Sequence, residues 1–229
     1  MKHNIILASK SPRRKFLLNE IGIEFEVRVK ETDETFPENL KAEQIPFYIC
    51  QKKAEAFQNE INSSEVVITA DTIVWINDAV LNKPDSVTDA IRMLKLLSGN
   101  MHQVFTGVCL MSKEKTKTFF CESKVYFKKL SDKEIETYIE NFKPFDKAGA
   151  YGAQECLPAN MNPCSQEEIS FLKKINKTDL IEKSINKSAQ QACLPDRQVA
   201  CEIVQRIQGS YFNVMGLPLH TLYQELVSF

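Results

Sequence analysis

The 229-residue sequence predicts an α/β protein, and three observations support that fold class. Short apolar or alternating segments typical of strands are interleaved with amphipathic segments typical of helices, an order found in α/β folds. The composition is 43% hydrophobic and 26% charged, which is ordinary for a globular chain. The length suits one large domain or two small lobes, and a chain of this size can bury a substantial core.

The predicted elements follow from hydrophobic periodicity and from capping and breaking residues. In chain order they are a strand over 4–8, a helix over 12–21, a strand over 24–29, a helix over 40–57, a β segment over 66–76, a helix over 87–97, paired strands over 104–111 and 118–127, a helix over 132–139 and a closing helix over 216–226. Pro46 is expected to break the second helix or to start a turn there. The β segment over 66–76 is expected to be interrupted at residues 70–72.

Local signals are clearest for three of these helices. Ser131 is in position to cap the helix over 132–139, and Pro218 is in position to start the closing helix. The helix over 87–97 carries an apolar stripe that should be buried, made of Ala90, Met93, Leu94 and Leu97.

Residues 166–191 form a polar stretch rich in Lys, Asn, Glu and Ser, and the sequence contains no glycine between residues 155 and 200. The stretch is weakly amphipathic, so it indicates either a helical excursion or a partly disordered segment.

The charge balance and the cysteine count exclude several classes of protein. Net charge is −1, from 29 basic and 30 acidic residues spread along the chain, whereas a nucleic-acid-binding protein usually has a clear basic excess. The apolar run near the N-terminus is four residues long, and no stretch approaches the ~18 apolar residues of a membrane span. Seven cysteines without a secretory signal indicate reduced thiols. We expect a cytoplasmic protein that binds neither nucleic acid nor a membrane.

A basic segment over residues 7–14 runs from the first strand into the first helix. Ser11 is a natural N-cap, and Pro12 fits the first helical turn. Lys10, Arg13 and Arg14 crowd the end of the helix where the dipole is already positive, which becomes favourable when an anion binds there. The segment therefore predicts either a phosphate site or a solvated basic turn.

Asp71 lies within the apolar β segment over 66–76. A buried carboxylate needs compensation from a metal ion or a lysine, and Lys83 is a candidate partner. The alternative is a turn aspartate between the two strands of a hairpin.

Two further segments carry weaker signals. Asp33 and Glu34 form an acidic pair of the kind that can hold Mg²⁺ together with substrate phosphates, although acidic loops are usually only solvated. Residues 146–154 contain two glycines that allow close approach of a ligand, and Gln154 offers both a donor and an acceptor for a base. These glycines are equally compatible with a purely structural turn. The three histidines lack metal-ligand spacing, which disfavours a zinc site. His102 begins a strand and is predicted to be structural or to support a site residue from behind.

These segments together resemble the Maf proteins, a family of nucleoside triphosphate pyrophosphatases named for septum-formation inhibition. The matches follow the family's order, at residues 7–14, 53–54, 70–72, 83–84, 97–104, 146–154 and 209–218. The resemblance implies an elongated α/β fold of the inosine-triphosphatase type, with a mixed twisted sheet, flanking helices and a cleft between two lobes. It also implies a protein that is often a homodimer.

The resemblance further implies an activity and a set of site residues. The reaction is hydrolysis between the α and β phosphates with Mg²⁺ or Mn²⁺, with Asp71 as catalytic proton acceptor or metal ligand and Glu34 as a second metal ligand. Arg13, Thr72 and Gln154 match positions associated with substrate choice, and the local motifs look like the subgroup acting on dTTP and UTP. The implied substrate-binding and specificity residues are Ser9, Arg13, Arg14, Lys53, Thr72, Lys83 and Gln154.

The chief departure from the family is a polar insert at about residues 157–200 of an otherwise single domain over 1–229. It is predicted to be a lid, a dimer contact or an inert excursion, and it lies close to Gln154. A rival interpretation is a non-catalytic regulator of cell division that binds a nucleotide or a protein partner. A pure binding module need not keep Asp71, Glu34 and Lys83 together, which favours the enzyme.

Overall fold

A computed structural model describes residues 3–158, 161–183 and 202–229 of the chain. Its strands are β1 (Asn4–Leu7), β2 (Phe25–Val27), β3 (Glu65–Ile76), β4 (Ala79–Leu81), β5 (Met101–Met111), β6 (Thr116–Phe127) and β7 (Val204–Gly209). Its helices are α1 (Pro12–Glu20), α2 (Gln44–Glu55), α3 (Val87–Leu97), α4 (Asp132–Phe142), α5 (Gln166–Lys174), α6 (Tyr211–Met215) and α7 (Leu219–Ser228). Two 3₁₀ turns, Ala148–Ala150 and Ala153–Glu155, follow α4, and residues 179–183 are helical.

The seven strands form one mixed sheet in the order β2-β1-β3-β5-β6-β7, and β4 pairs with β3. β1 is parallel to both β2 and β3, whereas β4 is antiparallel to β3 and β7 is antiparallel to β6. The predicted α/β class with a mixed sheet and helices is therefore confirmed. In the described ranges, no helix has the length and apolar character needed to cross a membrane.

The chain divides into two compact units. The first comprises residues 1–72, 105–122 and 212–229, and the second comprises residues 73–104 and 123–211. Strands β3, β5 and β6 contribute residues to both.

The first unit has an apolar core between α2 and the strands β1, β3 and β5. This core contains Ile6, Cys50, Ala54, Phe57, Ile61, Val67, Cys109 and Met111. Helix and strand approach closely at Gly107, where an added Cβ would lie 2.4 Å from the carbonyl oxygen of Pro46. Pro46 lies in the first turn of α2, where its missing N–H removes no helical hydrogen bond. It therefore does not break the helix, which was one of the two expectations from the sequence.

Two sequence predictions in the strands and helices have opposite outcomes. The buried stripe of α3 is confirmed, because its buried residues are the four predicted ones. The predicted interruption of the β segment at residues 70–72 is wrong, because β3 is continuous from Glu65 to Ile76. The turn lies instead at Asn77 and Asp78, whose φ angles of 50° and 57° suit the tight turn between β3 and β4.

Part of the polar insert over 157–200 has a defined structure. Helix α5 begins after Ser165, whose side chain and that of Glu168 form a reciprocal capping box. Glu168 is 1% exposed, and its carboxylate accepts hydrogen bonds from the Ser210 hydroxyl at 2.5 Å and the Tyr211 backbone N–H at 3.0 Å. This part of the insert is thus packed against the residues that begin α6. Residues 159–160 and 184–200 of the insert lie outside the described residues.

Candidate active site

Asp71 and Lys53 form a partly buried ion pair in the first unit. Asp71 lies in the middle of β3, and Lys53 lies in the last turn of α2, where a cation is favoured by the helix dipole. The Lys53 Nζ donates to the Asp71 Oδ1 at 2.7 Å, and the two side chains are 15% and 14% exposed. Of the two expected kinds of compensation for Asp71, a metal ion or a lysine, the structure shows a lysine, and that lysine is Lys53 and not the suggested Lys83.

Glu34 joins the same cluster from the loop between β2 and α2. Its Oε1 lies 2.8 Å from the Lys53 Nζ, so one ammonium is shared by two carboxylates. The preceding residue, Asp33, binds Lys52 at 3.0 Å and accepts the backbone N–H of Thr35 at 2.9 Å. Two consecutive acid–lysine pairs therefore attach this loop to the end of α2.

The electrostatic environment of Asp71 favours its protonated form more than water does. Burial raises the pKa of the Asp71 carboxyl above its ordinary value, while the neighbouring Lys53 opposes that rise. The carboxylate of Glu34 raises the pKa of Asp71 further. The site thus combines a desolvated acid with a close cation, which is an arrangement typical of functional sites.

Arg14 makes four hydrogen bonds to other parts of the first unit. Its Nη1 donates to the Ala70 carbonyl at 2.8 Å and to the Ser9 hydroxyl at 3.3 Å. Its Nε donates to the Gly216 carbonyl at 2.8 Å, and its Nη2 donates to the Thr72 hydroxyl at 3.1 Å. Since a guanidinium has five N–H groups, most of its donors are directed at protein acceptors. Arg14 therefore connects the residues on both sides of Asp71, through the Ala70 carbonyl and the Thr72 hydroxyl, to α1 and to the segment before α7.

Thr72 belongs to a chain of hydrogen bonds with a defined direction. The Thr106 hydroxyl donates to the Asn213 carbonyl at 3.1 Å, so its single proton is used there. In the 2.9 Å contact between the two threonine hydroxyls, Thr72 is consequently the donor and Thr106 the acceptor. Because Thr72 also accepts from Arg14, its remaining capacity is that of an acceptor.

The start of α1 presents the predicted basic segment. The Ser11 hydroxyl accepts the backbone N–H of Arg14 at 3.4 Å, and Pro12 occupies the first helical turn, as predicted. Arg13 is half-buried on that turn, and Lys10 is exposed beside it, with Glu31 at 3.7 Å. The turn contains no acid, so backbone N–H groups and basic side chains together favour an anion there.

Lys83 and Gln154 lie in the second unit. Lys83 is exposed, and Gln154 lies in the short 3₁₀ turn Ala153–Glu155. This turn is held by Glu155, which accepts from the Tyr138 hydroxyl at 2.8 Å and pairs with Lys147 at 3.3 Å. The Gln154 Oε1 is buried and accepts no hydrogen bond from the described residues. Such an unsatisfied oxygen is suited to accept a hydrogen bond from a ligand.

His102 is buried in the second unit, as its predicted structural role requires. Its Nε2 lies 2.7 Å from the Tyr151 hydroxyl, and its ring packs edge-on against Phe127 at a centroid distance of 4.9 Å. Burial lowers the pKa of His102 to about 3. The ring therefore stays neutral at physiological pH.

Glu34 and Asp71 are suited to a divalent cation that is also held by its substrate. No cluster of three or more His, Cys, Asp or Glu side chains able to hold a metal occurs in the described part of the chain. Two carboxylates are nevertheless the usual protein contribution to a Mg²⁺ site completed by phosphates and water. The carboxylates of Glu34 and Asp71 already accommodate the positive charge of Lys53. These two oxygen donors therefore fit such a metal.

Sequence reasoning missed Thr106 and the backbone of Asn213 and Gly216. Thr106 is fully buried and lies in a strand that reads as an ordinary apolar segment. The two carbonyls act through the backbone, so their side chains give no direct signal. Gly216 is nevertheless explicable as a glycine, because its φ of 108° strains any other residue and an added Cβ would lie 3.5 Å from the Thr72 Oγ1.

Comparison with known proteins agrees with the resemblance carried by the motifs. Residues 4–161 match the family described as Maf-like protein. A dTTP/UTP pyrophosphatase of Parabacteroides distasonis is 41% identical over 229 residues, which is 100% of this chain and 97% of that protein. A dTTP/UTP pyrophosphatase of Phocaeicola vulgatus is 43% identical over 226 residues, which is 98% of this chain and 95% of that protein.

A more distant likeness is to the solved structure of the Staphylococcus aureus Ham1 protein. It is 16% identical with a TM-score of 0.41, over 54% of this chain and 71% of that one, which is too weak to bear on the function. The alignment with the Parabacteroides distasonis protein, by contrast, spans the whole chain, residues 157–200 included. The family match over most of the chain and the similarity along its full length show that this chain belongs to the Maf family.

Proposed function

We propose that this protein is a nucleoside triphosphate pyrophosphatase that hydrolyses dTTP and UTP to the monophosphate and pyrophosphate. The observation that carries the proposal is the cluster of Asp71, Lys53 and Glu34, which lies in the same unit as the basic start of α1. The relatives that align along this chain are named dTTP/UTP pyrophosphatase, which supports the same reaction and the same two substrates.

Positioning and charge neutralisation supply most of the catalysis in phosphoryl transfer. In the proposed complex the triphosphate is held by Arg13 at the first turn of α1 and by the ammonium group of Lys53, and the role of Lys83 stays a prediction from the family resemblance. Asp71 accepts a proton from the attacking water or binds the metal. Arg14 and Ser9 keep the strand end and the helix start in place, because the Arg14 donors already contact protein acceptors.

A divalent cation, Mg²⁺ or Mn²⁺, is assigned to Glu34 and Asp71. When bound, it would neutralise charge on the phosphates and polarise them.

Two residues are proposed to select the nucleotide. The acceptor lone pair of Thr72 can accept a hydrogen bond from a substrate. The selection by Gln154, whose Oε1 is buried, stays a prediction from the family resemblance. The imide N–H of thymine and uracil is a donor, whereas the corresponding ring nitrogen of cytosine is an acceptor. This difference supports the preference for dTTP and UTP over cytidine nucleotides.

The test is to incubate the purified protein with each common nucleoside triphosphate and Mg²⁺ or Mn²⁺, and to measure pyrophosphate and orthophosphate. We expect pyrophosphate from dTTP and UTP. Asp71→Asn should reduce turnover by about 10²–10⁴-fold, because it removes the carboxylate proposed as proton acceptor or metal ligand. Asp78→Asn, an exposed aspartate in the turn after the same strand, is the matched control and should keep its activity.

Two outcomes would contradict the proposal. Release of orthophosphate alone would exclude cleavage between the α and β phosphates. Absence of any product with folded protein and metal would favour the non-catalytic regulator, for which the contacts described above offer no specific support. The cytoplasmic location and the homodimer stay predictions from the sequence.

A further inference from the structure

The Lys53 ammonium occupies the position between the two carboxylates assigned to the metal. Its Nζ lies 2.7 Å from Asp71 Oδ1 and 2.8 Å from Glu34 Oε1. These are the short distances of charge-assisted hydrogen bonds. In this arrangement Lys53 is directed at acidic oxygens and not outward to an anion.

A divalent cation needs the same oxygens. It binds carboxylate oxygens at about 2.1 Å and repels a neighbouring ammonium, so metal and Lys53 compete for Glu34 and Asp71. The side chain of Lys53 has a flexible four-carbon stem and begins in the last turn of α2, so it can leave without movement of the helix.

We propose that Lys53 is an internal counter-ion of the metal-free site, which the divalent cation displaces, and that this exchange releases the ammonium to bind substrate phosphate. The proposal rests on the proposed function. The loop that carries Glu34 remains attached through the separate pair of Asp33 and Lys52, so the carboxylates stay in place while Lys53 changes partner. Metal binding and phosphate binding are thereby coupled through one side chain.

The neighbouring lysine offers a matched control. Lys52→Met removes the same charge from the same helical turn as Lys53→Met, but Lys52 binds Asp33 and not Glu34 or Asp71. A general effect of net charge would therefore raise the metal affinity of both variants. Competition for the two carboxylates would raise the metal affinity of Lys53→Met alone.

The experiment measures Mn²⁺ affinity of the nucleotide-free protein by electron paramagnetic resonance of the free ion. Lys53→Met should bind Mn²⁺ about tenfold or more tightly than the unaltered protein, because a charge-assisted pair no longer competes. Lys52→Met should not bind Mn²⁺ more tightly than the unaltered protein, because Lys53 still competes for the carboxylates and the loop that carries Glu34 loses its attachment through Asp33. Equal or weaker binding by folded Lys53→Met would overturn the proposal.

A second measurement needs no substitution. Acylation of Lys53 by an amine reagent, quantified by peptide mass spectrometry, should increase severalfold when Mn²⁺ saturates the protein, while acylation of Lys52 stays constant. Unchanged acylation of Lys53 with Mn²⁺ bound would also contradict the proposal that the metal displaces Lys53. Both readouts omit nucleotide, so the hydrolysis assay on dTTP and UTP tests the proposed function separately.

Discussion

At the residue scale, Arg14 positions Asp71 through hydrogen bonds to the residues next to it. Arg14 donates to the carbonyl of Ala70 and the hydroxyl of Thr72, the residues on either side of Asp71. These bonds fix the backbone from which the Asp71 carboxylate projects toward Lys53. Positioning by Arg14 therefore depends on the fork geometry of its guanidinium as well as on its charge.

This dependence predicts that Arg14→Lys destabilises the protein although the charge is kept. An ammonium cannot reach all of the acceptors now served by three guanidinium nitrogens, so buried carbonyls lose partners. We expect the free energy of unfolding to fall by about 2–4 kcal/mol in urea denaturation. Arg92→Lys, at an exposed arginine paired with Asp89, should cost less than about 0.5 kcal/mol. Equal losses in the two variants would argue against a special role for Arg14.

At the element scale, the continuity of β3 and the packing of α5 depend on contacts that the local sequence does not reveal. β1 pairs with β3 only as far as Ile68 and β4 only from Val74, whereas β5 neighbours β3 in the sheet and Arg14 donates to the Ala70 carbonyl. This tertiary setting overrides the weak strand preference of Ala and Asp at residues 70–72. Helix α5 has an ordinary capping sequence, but its capping residue Glu168 also binds Ser210 and Tyr211 across 42 and 43 residues. The described part of the insert is therefore tied to the start of α6.

The hydrogen bonds from Ser210 and Tyr211 to Glu168 predict that Glu168→Ala is destabilising. It removes a buried carboxylate and leaves the Ser210 hydroxyl and the Tyr211 N–H without their acceptor. The free energy of unfolding should fall by about 2–3 kcal/mol, which urea denaturation would detect. Glu167→Ala, at the exposed neighbour in the same helical turn, should change it by less than about 0.5 kcal/mol. A tolerated Glu168→Ala would make this part of the insert an inert excursion.

At the scale of the whole molecule, buried His102 affects how stability depends on pH. Its folded-state pKa of about 3 lies below the ordinary value of 6.5, so on acidification the unfolded chain binds the proton first. The folded state is thus penalised progressively as pH falls from 6.5 toward 3, and above 6.5 the penalty is absent.

The measurement is the free energy of unfolding at pH 7 and pH 5 for the unaltered protein and for His102→Gln. Relative to the variant, the unaltered protein should lose about 2 kcal/mol more between those pH values, from about 1.36 kcal/mol per unit of pKa difference. His3→Gln, at an exposed position, controls for histidine number. The same pH difference in all three proteins would show that His102 titrates normally when folded.

The sequence by itself determined the α/β class, the buried stripe of α3 and the cap of α1, because these depend on periodicity and on contacts within one turn. It also indicated the family, because several short motifs in the family's order can be recognised in one sequence without an alignment. Only the tertiary structure decided that Lys53 and not Lys83 meets Asp71, that Arg14 is held by protein acceptors, and that Thr106 orients Thr72. These partners lie 18, 202 and 34 residues apart, and pairings over such distances are set by which elements pack together and leave no periodic signal in the sequence.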